Sequence, residues 1–383
     1  MRLIRLVSGL ILLSWLVACS KNTDNSEPPA PLTYIDLSLY LVLNWQRDTR
    51  ASSNAAAYRL RPLIIDDRVY SIDSSGTMRS TDAGSGKSHW RFKTGLEAII
   101  GLGGNEHILI ATSLDGDVIA YRFSDDGPEQ LWQTRINSEI RATPVVDNDQ
   151  VFVRSVDGKL RSLLATDGSQ QWEVSHRVPA LSLTGNSQPL VQGELVFAGF
   201  DDGKLVAFER TSGQIVWETT ITSPRGRTEV ERLVDLDGDF VIRDGVIYIA
   251  AFQGRLVAVQ AVSGEILWTR NFSGHQAIAI DEEAIYLSDN ASHIWSIDRR
   301  TGSAFWKQDV LNARKITAPA VIGDKLVVGD YAGYQHWFDR KDGKLLGRIR
   351  PSDVRNYVQP LTWEQTVFSF DRRGFLSSVS VKE

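Results

Sequence analysis

The stretch DDGKLVAFERTSGQIVWETTI, Asp201 to Ile221, returns almost unit for unit as FQGRLVAVQAVSGEILWTRNF, Phe252 to Phe272. Each copy holds a glycine turn, an alternating strand such as LVAV, a second turn of the TSG type, and a strand bearing Trp. That is the pattern of consecutive antiparallel hairpins. More divergent copies, such as VDGKLRSLLATDGSQQWEV and NASHIWSIDRRTGSAFWKQ, place the first turn residue at Gly76, Gly116, Gly158, Gly203, Gly254, Ser292, Gly333 and Gly374, spaced 38 to 51 residues apart. Eight units with a period near 40 and four strands each predict an all-β, eight-bladed propeller, because one blade cannot bury both its faces but a ring of blades can.

Ring closure is legible at the two ends of the repeat. Trp follows the first turn residue by 14 positions in five units and by 16 in the second, and Gly347 holds its place in the seventh. In the eighth unit position 388 would be required, and the chain stops at Glu383. Trp45, in LVLNWQRD, is a Trp strand with no hairpin before it. Lending this N-terminal strand to the C-terminal blade closes the ring and removes two open sheet edges. Residues 36–383 are thereby a single domain.

The composition agrees with a large packed core: 383 residues, 42% hydrophobic, 23% charged, with 11 Trp and a single Cys. One Cys excludes an intrachain disulfide and a thiolate cluster. The net charge is −5, and −7 without residues 1–18, whose only charged side chains are Arg2 and Arg5. No basic surface for a nucleic acid is implied.

Residues 1–18 have the layout of a secretory signal peptide: arginines first, an apolar run from Leu6 to Val17, and small Ala18. Leu16-Val17-Ala18-Cys19 resembles a bacterial lipobox, which implies lipidation at Cys19. Ser20, in the place where Asp commonly retains such proteins at the inner membrane, implies export to the outer membrane. The segment 19–35 reads as a tether, since the polar, Pro-rich run SKNTDNSEPPAPL buries too little to order by itself.

Local chemistry motifs fail on inspection. GSGKS at Gly84 to Ser88 ends like a phosphate-binding loop, but Thr81 stands where that loop needs Gly, and other units put TSGQ or KDGK in the same slot. DLDGD at Asp235 to Asp239 begins like a calcium loop, yet its twelfth position is Val246 rather than a bidentate Glu. The six His are scattered, and no G-x-S-x-G occurs. Neither a metal nor a cofactor is expected. The repeated Trp residues, at one blade position, read as packing between blades.

The repeat resembles that of the pyrroloquinoline quinone dehydrogenases, but their vicinal cysteine pair is missing, which weakens an enzyme reading. The combination of lipobox, tether, eight units, LSLTGNSQP (Leu181 to Pro189), RTEVERLVDLD (Arg227 to Asp237) and LVVGDYAGYQHW (Leu326 to Trp337) is similar to the BamB family of outer-membrane assembly lipoproteins. The resemblance implies a non-enzymatic scaffold in which two neighbouring loops contact a periplasmic POTRA domain of the barrel-forming subunit BamA. Carried over, those positions are Leu181, Leu183, Asp235 and Asp237, with Thr184 standing where the family often has Arg. It further implies membership of the barrel assembly complex, anchorage in the outer membrane facing the periplasm, and assistance to unfolded barrel precursors. A periplasmic quinoprotein dehydrogenase and a glycan- or protein-binding propeller are the rival readings. Independently of the resemblance, both loops follow a Trp strand and precede the next unit, so they emerge on one face, in two of the longest intervals of the repeat.

Overall fold

The computed structural model describes residues 27–35, 38–49, 60–73, 75–97, 99–178, 187–222, 236, 240–251, 254–274 and 277–382. Among them no helix forms, and the strands assemble into eight four-stranded antiparallel sheets arranged as a β-propeller. The fourth sheet is typical, with Leu190–Gln192, Leu195–Gly199, Lys204–Glu209 and Ile215–Thr220 running from the inner to the outer position. Its second and third strands are almost wholly buried, whereas side chains of the outer strand alternate between exposed and half-buried. The middle of each blade is sandwiched between neighbouring sheets, while the outer strand and the turns meet water.

The ring closes as the repeat arithmetic predicts. Leu41–Asp48 pairs antiparallel with Phe375–Val381 and is the outer strand of the sheet whose other members are Leu361–Trp363 and Thr366–Phe370. Trp45 is buried there, 5.5 Å from the Phe368 ring, and its indole N–H donates to Ala83 O of the first blade at 3.1 Å.

The outer-strand Trp residues do join blade to blade. Trp132, Trp172, Trp217, Trp268 and Trp306 each donate the indole N–H to a carbonyl of the following blade, at Ala165, Arg210, Ala261, Arg299 and Arg340, over 2.8–3.1 Å. The ring rests on the glycine of that blade's last hairpin turn. A Cβ at Gly213 would come within 2.8 Å of Trp172, and the φ of +71° there already favours glycine. The 16-residue spacing in the second unit has a structural cause: the hairpin Asp117–Ser124 and Gly127–Arg135 is longer than its counterparts. Its displaced turn leaves Trp90 without an acceptor for its buried N–H among the described residues, and Trp90 packs on Tyr70 at 5.9 Å. In the sixth unit Ser292 takes the glycine's role with a φ of 72°.

The first turn of several blades is held by an aspartate. Asp73, Asp289, Asp330 and Asp371 each accept two backbone N–H groups of their own turn, two and four residues ahead. This is side-chain capping of a tight turn. Because four antiparallel strands alternate in direction, these turns share a face with the connectors that lead from an outer strand to the next inner strand. The contacts agree: Ile221 N–H donates to Gly203 O and His176 N–H to Gly158 O, each over 2.9 Å.

Candidate partner-binding face

Along that shared face the connectors differ in length. Those joining the third blade to the fourth and the fourth to the fifth, residues 176–189 and 221–240, run 14 and 20 residues, while the remaining connectors between consecutive units run from 5 to 11. The link from Asp48 to Leu63, residues 49–62, also runs 14 residues and puts a third long connector on this face. Sequence reasoning missed it, although the Trp45-to-Trp90 interval equals that from Trp172 to Trp217.

The predicted partner-binding positions Leu181, Leu183, Thr184, Asp235 and Asp237 lie outside the described residues, as does Cys19. What the structure shows is how the feet of the two connectors are held. At the first, Arg154 directly follows the apolar run Val151–Val153 in the second strand of the third blade, and it is 1% exposed. Its Nη2 donates to Asp201 Oδ1 at 2.8 Å, its Nη1 to Ser187 Oγ at 3.3 Å, and its guanidinium lies 5.2 Å from the centre of the Phe200 ring. Ser187 lies three residues before the strand that begins at Leu190, so a buried cation pins that end of the connector. At the other end His176 stacks on Phe200 with ring centres 4.2 Å apart, and it shares a 2.9 Å hydrogen bond with Asp202. Both ends of the first connector are thus held against one Phe-Asp-Asp turn.

The second connector is fixed by apolar packing instead. Leu236, the residue between Asp235 and Asp237, is fully buried and packs with Phe240 in a core shared with Phe197, Ile221 and Ile247. Leu236, the second residue of DLDGD, therefore belongs to the core. Arg154 could have been singled out beforehand: a charge in the middle of VFVRS demands a partner. Asp201, 47 residues away, could not.

Among the described residues no group of three or more His, Cys, Asp or Glu is arranged to hold a metal ion. The face offers long connectors on rigid, buried supports, which is how repeat rings present protein-binding surface.

Fold and face define the class: an eight-bladed propeller with its extra length gathered on one side of the ring. The family model described as outer membrane protein assembly factor BamB matches residues 74–308. A protein of that description from Burkholderia pseudomallei is 32% identical over 358 residues, covering 93% of this chain and 92% of its own. The chain belongs to the BamB family. The crystal structure of BamB from Moraxella catarrhalis superposes with a TM-score of 0.79 at 20% identity, covering 89% of this chain and 99% of that one. A quinohemoprotein alcohol dehydrogenase from Comamonas testosteroni reaches a TM-score of 0.71 at 10% identity, covering 89% and 76%, which is a likeness of fold alone.

Proposed function

We propose that the protein is a non-enzymatic scaffold of the outer-membrane β-barrel assembly machinery. It is anchored through a lipid on Cys19, faces the periplasm, and holds the POTRA region of BamA on the connectors containing Leu181, Leu183, Thr184, Asp235 and Asp237. By holding those domains it assists insertion of unfolded barrel precursors. Family membership over nearly the whole chain carries this reading, and the gathering of two long, firmly based connectors at adjacent positions supports it. The leucines would serve as apolar anchors, while Asp235 and Asp237 accept hydrogen bonds from partner amides or basic side chains. Affinity purification of the tagged full-length chain from native membranes tests the proposal. BamA is expected in the eluate in near-stoichiometric amount. An eluate without BamA that oxidises alcohols with an artificial dye would overturn it in favour of a quinoprotein enzyme.

A further inference from the structure

The segment expected to be a free tether does not behave as one over its second half. Ala30 N–H donates to Asn312 O at 2.9 Å, and the Asn312 side chain donates to Glu27 Oε1 at 2.7 Å. Arg314 Nη1 reaches Ala30 O at 2.9 Å. Further along, Arg348 donates to Thr33 O, and Ser38 N–H donates to Leu346 O at 3.2 Å. Arg314 is a built part of the fold: its side chain is 5% exposed, and its Nε and Nη2 bind Asp330 Oδ2 at 2.8 and 2.6 Å. A buried guanidinium with a remaining donor needs an acceptor, and the Ala30 carbonyl supplies it.

The path of this segment explains the missing Trp of the seventh unit. Leu345–Ile349 is the outer strand of that blade, and Gly347 stands where other blades carry the indole. A Cβ at Gly347 would meet Leu39 O at 3.1 Å and Leu39 Cβ at 3.4 Å, so the absent side chain makes room for the incoming chain. Leu39 is buried, in a cluster with Trp337 and Val379. The segment thus starts beside Asn312, in the connector between blades six and seven, and passes the outer edge of blade seven. It enters the eighth blade at Leu41. That connector lies on the same face as the two long connectors, two and three positions around the ring from them.

We propose that residues 27–35 and 38–39 are a strap belonging to the propeller, which covers the outer edge of the seventh blade and fixes the point where the chain leaves toward Cys19 at the rim between blades six and seven. Prolines 28, 29 and 31 restrict the segment beforehand and lower the entropy lost on docking. The consequence for the anchor is geometric, and it rests on the lipidation reading. Eight residues from Cys19 to Glu27 reach at most about 28 Å, whereas a free leash ending at Ser38 would reach about 66 Å. The strap therefore more than halves the distance the propeller can stand from the lipid surface and keeps one rim, on the connector-bearing face, nearest to it.

Two measurements on the full-length chain test this. Amide hydrogen exchange at Ala30 and Ser38 is expected to be at least tenfold slower than in an unstructured peptide, and exchange at the coil rate at both would overturn the strap. For the leash, a donor dye on Asp309→Cys and an acceptor in the headgroups of phosphatidylethanolamine–phosphatidylglycerol vesicles report the rim-to-lipid distance. Ala30→Pro, which deletes the donated N–H, combined with Arg348→Ala should lower the energy transfer at least twofold with the melting temperature unchanged. Equal transfer in both proteins would overturn the leash. A chain that shows the exchange protection but fails to attach to vesicles contradicts the acylation of Cys19, not the strap.

Discussion

Arg154 and Asp201 make the buried ion pair beneath the first long connector, with side chains 1% and 7% exposed, and a pair so placed is costly to break from one side only. Asp201→Ala leaves a desolvated guanidinium and is expected to cost about 3 to 5 kcal/mol in urea unfolding, whereas replacing both partners, as Arg154→Met with Asp201→Leu, should recover most of the loss. A second buried charge cluster makes stability depend on pH. His336 is fully buried against Asp330, and burial pushes its imidazole below the usual 6.5 more strongly than Asp330 raises it. Burial also opposes the Asp330 charge, but hydrogen bonds from His336, Arg314 and the Tyr334 amide outweigh it and hold this carboxyl below the ordinary range. The unfolded chain then takes up a proton on His336 near pH 6.5 while the folded chain does not. Stability contributed by the neutral imidazole is present above that pH and is lost as the pH falls below it, at a rate of up to about 1.4 kcal/mol per pH unit. Melting temperatures measured between pH 7.5 and 5.5 should fall more steeply for the wild type than for His336→Gln. Parallel curves would contradict the assignment.

At the scale of strands, the unit that matters most is Leu41–Asp48. Deleting it removes Trp45 from its site on the first blade and opens the edge of Phe375–Val381. The loss of the buried Trp alone should cost about 3 to 5 kcal/mol, and the exposed edge adds a tendency to associate. Thermal unfolding with light scattering reads both effects, and a truncated chain with wild-type stability and no association would contradict the closure. The strand was legible in the sequence because two local signals, an unpaired Trp strand and a last unit short of one strand, imply each other. The blade count was legible for the same kind of reason, since all eight units repeat the first turn and five of them carry Trp 14 residues after it. The strap was not. Its composition reads as a tether, and its partners Asn312 and Arg314 lie more than about 280 residues away, at positions no local pattern marks. Nor were the buried supports of the connectors, where Arg154 meets Ser187 and Asp201 only through the curvature of the ring.

The whole molecule combines a ring that closes on itself with one face on which chain length has accumulated. The ring is stabilised by repetition: six of the blades donate an indole N–H to a carbonyl of the next, so loss of any one such contact is met by others. The face differs from blade to blade in the length of its connectors, and the proposed partner-binding positions lie on two of them. The central claim, that the connectors at Leu181 to Thr184 and Asp235 to Asp237 hold the POTRA region of BamA, is tested most directly by titrating the purified protein with that region. Truncating a central interface residue typically costs about 2 kcal/mol or more, close to a thirtyfold change in Kd, and charge reversal adds repulsion. Leu183→Lys and Asp237→Lys should each weaken binding by at least that factor with the melting temperature within a few degrees. Asp342→Lys, in the exposed last-hairpin turn of the seventh blade on the opposite face, should bind as the wild type does. Wild-type affinity in both connector variants, with Asp342→Lys impaired, would contradict the account.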